Sequence, residues 1–211
     1  MIAVDLERPL ETSRSKRLKA ATNETHEALD KRIMVSDPFV SRESYGLFVG
    51  VQHQFHREID GLYVNPILDR FLPDLEGRRR FGLIEQDLAD LGMTIPESKT
   101  APTFVAGAEA DIPTALGWLY VAEGSNLGAA FLLKEAAKLG LSESFGARHL
   151  AAAPEGRGLH WKTFTAALDA FDFSEAEEAR VIAGAQAAFA RVRGLVDATL
   201  PVAGTENGRS K

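Results

Sequence analysis

The chain has 211 residues, 45% hydrophobic and 26% charged, which suits one globular domain and excludes low-complexity or collagen-like sequence. Its 24 Lys and Arg against 30 Asp and Glu leave a net charge of −6, the wrong sign for a nucleic-acid binder. Cysteine is absent, so disulfides, thiolate metal sites and a cysteine nucleophile are all excluded. Any metal or cofactor must then be held by backbone, carboxylate or one of five histidines: His26, His53, His56, His149 and His160.

The N-terminal stretch has scattered charge and no apolar core of signal-peptide length. No run approaches the roughly 20 apolar residues of a spanning helix. A cytoplasmic protein with no membrane and no nucleic-acid partner is expected.

Helical periodicity dominates and strand-like alternation is nearly missing. A first helix is expected from about Ser13 to Met34, behind a Thr12/Ser13 cap. Asp37-Pro38 breaks it. Ser41 caps a second helix from about Arg42 to Tyr63, bent near Gly61. Asn65-Pro66 opens a short helix to Phe71, and Leu72-Pro73-Asp74 turns into another from about Arg78 to Leu91. Residues 92–111 form the longest loop. Asp111-Ile112-Pro113 opens a long helix that reaches about Leu139 and stops at Gly140. A turn-rich segment leads to Gly158, and a helix covers about Leu159 to Phe171. Ser174 with Glu177 is a capping box for a last helix ending near Leu200. The tail from Val202 to Lys211 is expected to be disordered. With no repeat and no linker, residues 1–201 are expected to form one all-α domain.

Several familiar sites are missing: a phosphate loop ending in Gly-Lys-Ser/Thr, a Glu-x-x-His pair, and His-Glu-x-x-His. His53-x-x-His56 puts two imidazoles one turn apart, a weak metal signal; more often one such ring is buried and the other solvated. His26 shares a helical face with Leu18, Thr22, Leu29 and Ile33. It is therefore expected on the inward stripe of the first helix, as a satisfied core histidine or as a ligand. Lys19 lies on the same face, roughly 10 Å along the axis, with Lys16 and Arg17 nearby. That arrangement suits a flat apolar ligand with peripheral carboxylates, which is the shape of haem. The long helix carries Gly124 and Gly128 in its interior, each costing about 1 kcal/mol against Ala. Two on one face need either close helix packing or a ligand against the backbone.

From about Arg14 to Leu200 the chain resembles the haem oxygenases, specifically the bacterial biliverdin-producing type associated with iron acquisition. The carrying segments are RLKAATNETHEALD around His26, GWLYVAEGSNLGAAFLLK in the long helix, and FGARHLA from Phe145 to Ala151. The resemblance implies an all-α fold with haem between a proximal and a distal helix. It implies His26 as the proximal iron ligand, Gly124 and Gly128 lying against the haem, and Phe189 as a pocket wall. The implied reaction cleaves haem with O2 and an external electron donor to biliverdin, Fe2+ and CO. The implied redox partner is a ferredoxin or a flavoprotein reductase. Mammalian-type members hold a distal water with an Asp, and the matching position here is Ser125. Related bacterial members use polar side chains from other helices. The matches are Gln52 and His56, with Arg80, His149 and Trp161 further out. Arg80 sits in an Arg78-Arg79-Arg80 run, which by itself reads as a solvated face. Lys19, then Lys16 and Lys134, match propionate partners, beside a basic cluster from Arg14 to Lys19. Basic residues that rotate the haem in some members are replaced by Met34 and Glu135, which favours cleavage at the α position. Two other readings remain: a non-catalytic haem-binding or storage protein on this fold, and a helical domain whose glycine face binds another helix.

Overall fold

The computed structural model describes residues 13–98 and 100–202. Among these the chain forms seven α-helices and no strand: α1 (Arg14–Val35), α2 (Arg42–Ile59), α3 (Pro66–Asp69), α4 (Phe81–Asp90), α5 (Ile112–Ala137), α6 (Arg157–Asp169) and α7 (Glu175–Thr199). Thr12 of the expected first cap, and residues 203–211 of the expected tail, lie outside the described residues.

Local chemistry sets most helix starts. The Ser41 side chain accepts from the Ser44 amide, Asn65 from the Ile67 and Leu68 amides, and Asp111 from the Thr114 amide. Ser174 and Glu177 close a full capping box. Ser13 departs from expectation. It makes no cap bond, and its hydroxyl donates instead to Asp169 Oδ2 at 2.6 Å, tying α1 to the end of α6. The second helix also ends earlier than expected, tightening into a 3-10 turn over Asp60–Val64. A Cβ at Gly61 would stand 2.5 Å from Phe104 O, so the 92–111 loop crosses here and tolerates only glycine.

The core is built where α5 crosses α7. A Cβ on Gly117 would run into Val181 O and Ala185 N, and one on Gly184 into Thr114 O. The helices therefore meet backbone to backbone. Gly117→Ala is expected to destabilise the fold by about 1–3 kcal/mol despite alanine's better helix propensity, read as a lower urea midpoint.

α1 lies along α7 in the same direction and is pinned at both ends. Arg14 Nη2 is 2.5 Å and Arg17 Nη2 2.8 Å from the Glu178 carboxylate. At the far end Arg32 pairs with Asp197 at 2.8 Å and donates to Leu200 O. This corrects the basic cluster expected from Arg14 to Lys19: its two arginines are engaged in helix packing.

The arginine run is likewise not a solvated face. Arg79 pairs with Asp60 at the surface, but Arg78 is 2% exposed and Arg80 is buried. Arg78 donates to Glu123 Oε2 at 2.9 Å and to the carbonyls of Pro73 and His160. Tyr63 donates to the same carboxylate at 3.1 Å, and His160 Nε2 stands 3.4 Å from it. Turning Arg78 inward ties up the segment before α4, which starts at Phe81 rather than near Arg78. Arg78→Ala would strand a buried carboxylate and is expected to cost about 3–5 kcal/mol, measurable by chemical unfolding.

Candidate active site

On α1, Leu18, Thr22 and Leu29 are buried against the body of the protein. His26, midway along the same face, has its side chain 57% exposed. The expected inward position is therefore corrected: the stripe is right, but it opens to solvent at His26. The ring edge meets Phe189 of α7 at 5.7 Å between centroids, and Nδ1 lies 3.3 Å from Asp30 Oδ2. One turn earlier, Thr22, whose hydroxyl donates to Leu18 O at 2.8 Å, lies close to Tyr120 of α5. A turn beyond that contact on each helix come His26 and Gly124. The two helices thus approach at Thr22 and Tyr120, and one turn on lie an exposed histidine and open glycines.

Gly124 and Gly128 are not packing glycines. A Cβ on Gly128 meets nothing within 4 Å, and one on Gly124 would only touch the Trp161 ring at 3.6 Å. Beside them Leu127 and Phe131 are exposed, at 45% and 52%. Bare backbone and large apolar side chains together present an open, flat surface on α5. Trp161 stacks on Phe164 and tilts against Tyr120, walling this region from α6.

Behind it lies a polar cavity of about 40 Å³ lined by Gln52 and His56 of α2, Arg80, Ser125 and His149, with apolar walls that include Phe48 and Leu132. The volume suits one or two waters. His56 Nδ1, Arg80 Nε and His149 Nε2 are buried without a protein partner. Ser125 donates to Ala122 O at 2.7 Å. A larger open depression of about 440 Å³ runs along α4 and shares no residue with this cavity. Lys16, Lys19 and Lys134 are exposed and lie outside the cavity.

His53 and His56 are both buried, correcting the expected one-in, one-out pair. Among the described residues no cluster of three or more His, Asp or Glu is arranged to hold a metal ion. Burial, reinforced by the charges of His149, Arg80 and His53, lowers the His56 pKa to about 3. An unfolded histidine takes up its proton near pH 6.5. Between those values the unfolded state binds the extra proton, so stability present above pH 6.5 is lost as the pH falls. His160 has the opposite sign. The Glu123 hydrogen bond raises its pKa, so its contribution is full below pH 6.5 and is lost as the pH rises through the raised value. Thermal melts from pH 7.5 to 5 are expected to show a flatter acid limb for His56→Gln; an unchanged limb would contradict a neutral buried ring.

Two buried carboxylates beside the site escaped the sequence reading. Asp87, fully buried on α4, lies 2.7 Å from His149 Nδ1. Glu123, next to Gly124, anchors the Arg78 network. Neither sits in a local motif, and no signal in the sequence marks them.

The residues present fit haem: an exposed imidazole, a bare-backbone helix segment flanked by exposed apolar side chains, and a small cavity with three unpartnered polar atoms. Fold and site together define an all-α protein whose α1 carries an exposed histidine and whose α5 carries an open glycine face. The model of the "Heme oxygenase" family matches residues 12–198. "Heme oxygenase PigA" of Pseudomonas aeruginosa is 44% identical over 186 residues, 88% of this chain and 92% of that protein. The NO- and CO-bound haem oxygenase of Neisseria meningitidis superposes with a TM-score of 0.83 at 42% identity, covering 92% of this chain and 94% of that one. The haem-complexed haem oxygenase-1 of Synechocystis shares the fold alone, at TM-score 0.65 and 16% identity. The chain belongs to the haem oxygenase family. Its activity is the oxidative degradation of haem to biliverdin, Fe2+ and CO. No helix among the described residues is long and apolar enough to cross a membrane.

Proposed function

We propose that His26 is the proximal iron ligand and that haem lies between α1 and α5, its distal face on Gly124 and Gly128. The observation that carries this reading is the pairing of an exposed histidine on α1 with an open glycine face on α5. Bound haem supplies the iron at which O2 is activated against the macrocycle's own meso carbon.

The chain's residues do the rest. His26 would hold the iron through an imidazole, a weaker electron donor than a thiolate. Phe189 backs the His26 ring, and Asp30 orients its Nδ1. Gly124 and Gly128 keep side chains away from the distal face. Gln52, His56, Arg80, Ser125 and His149 hold water in the cavity behind that face, where it can pass protons toward the reacting edge. Trp161 walls the pocket, and Lys19, Lys16 and Lys134 draw the propionates. Met34 is exposed and Glu135 pairs with Lys138 at 2.7 Å. Neither offers a cation to rotate the ring, which supports cleavage at the α position.

The cellular role is iron acquisition from haem in the cytoplasm, with electrons from a ferredoxin or flavoprotein reductase. The test is hemin titration followed by ascorbate or reductase turnover under air. A Soret band should form, then give way to verdin absorbance and CO. Loss of neither haem nor Soret on reduction would contradict the proposal.

A further inference from the structure

We propose that Asp87 is a positioning residue for the haem oxygenase reaction: it holds His149 with Nδ1 protonated, so that Nε2 faces the distal cavity as a hydrogen-bond acceptor. The proposal rests on the cavity being the distal water site described above.

Asp87 is fully buried, and the hydrogen bonds of its carboxylate go to Arg148 and His149. Oδ2 accepts from the His149 amide at 3.0 Å and lies 2.7 Å from His149 Nδ1. Oδ1 accepts from the Arg148 amide at 2.9 Å and from Arg148 Nη1 at 3.2 Å. Three residues on, Asp90 accepts from the Gly146 amide at 2.8 Å and also pairs with Arg148. One face of α4 therefore clamps this loop and sets the His149 ring. Burial works against the Asp87 charge, but the bonds from His149 and Arg148 outweigh it and hold the carboxyl below its ordinary range. Tyr45 of α2 lies close enough to feel that charge.

An ionised carboxylate only accepts, so the shared proton sits on Nδ1, and in the neutral ring Nε2 carries a lone pair. That Nε2 is buried without a protein partner, as are Arg80 Nε and His56 Nδ1, and all three residues line the same cavity. Arg80 can only donate. The wall thus offers a fixed donor and a fixed acceptor, and water bonded to both has the direction of its protons set. In a neutral His149 without the carboxylate, Nε2 would carry the proton. Arg80 and His149 would then both donate, leaving such water no fixed acceptor between them.

Asp87→Asn separates this role from simple packing. Its amide oxygen keeps the two Arg148 donors at the cost of the single bond from the His149 amide, which turns the NH2 toward His149 Nδ1 and reverses the tautomer. Comparable Asp→Asn changes beside a catalytic histidine leave the geometry intact and cut turnover by orders of magnitude. In haem-free protein labelled with 15N-histidine, the wild type should show His149 protonated at Nδ1, and Asp87→Asn should show it protonated at Nε2. The variant should bind haem within a few-fold of wild type and lose at least about 10-fold in turnover. Wild-type His149 protonated at Nε2 overturns the proposal, and that spectrum decides even if the variant does not fold. A reversed tautomer with undiminished turnover also overturns it. Unchanged turnover in His149→Ala would instead remove the cavity from the mechanism, and the role of Asp87 with it.

Discussion

His26→Ala is expected to lose haem affinity by more than about 100-fold and turnover with it, while leaving the fold intact. The two halves rest on different observations. The side chain is 57% exposed, and its ion-pair partner Asp30 is 61% exposed. A surface pair of this kind contributes about 0–1 kcal/mol. The edge contact with Phe189 adds about 0.5–1.5 kcal/mol, so the two together cost at most about 10 °C in Tm. Function is another matter. Removing even an outer partner of a metal-bound histidine typically costs about 10–100-fold, and removing the ligand itself should cost more. A Soret titration and a melting curve on the same preparation check both halves. Normal haem binding by His26→Ala would pass the ligand role to another residue, and a collapsed melting curve would mean His26 is structural.

What was legible in the sequence was local. Ser41, Asn65, Asp111 and the Ser174–Glu177 box mark helix starts because capping is a contact between residues two or three apart. The face of α1 that carries His26 was legible from periodicity alone. Whether that face was covered was not, because periodicity names a stripe and says nothing of what packs on it. The same limit explains the glycines. Gly124 and Gly128 drew attention through their spacing, yet the pair that lets helices touch is Gly117 on α5 and Gly184 on α7, far apart in the chain. Charge runs mislead for a related reason. Arg78 is buried because Glu123 and two carbonyls await it, and those partners are assembled only by the tertiary fold. Asp87 was illegible on the same grounds: its meaning depends on a loop some sixty residues later. Family resemblance reached further, bringing Gln52, His56, Arg80, Ser125 and His149 to one cavity that no spacing rule would have joined.

The glycines also provide the prediction with the least ordinary signature: Gly128→Leu should stabilise the protein while disabling it. A Cβ at Gly128 meets nothing within 4 Å and the position is exposed, so a leucine there starts into open space. Replacing an interior helical glycine by a good helix former is worth roughly 0.5–1 kcal/mol, and the new side chain can lie against exposed Phe131, three residues on. The melting temperature should therefore rise or hold. The same side chain would stand where the distal face of haem is proposed to lie. A displacement of about 1 Å at a reacting centre can cost roughly 100-fold, and a leucine side chain occupies several times that depth. Turnover should fall by at least that factor, with Gly128→Ala intermediate. Gly117→Ala provides the contrast, losing stability where Gly128→Leu gains it. A glycine kept for helix packing would lose stability when filled, as Gly117 does. One kept for a ligand loses function alone, and full turnover in a stabilised Gly128→Leu would place the haem elsewhere.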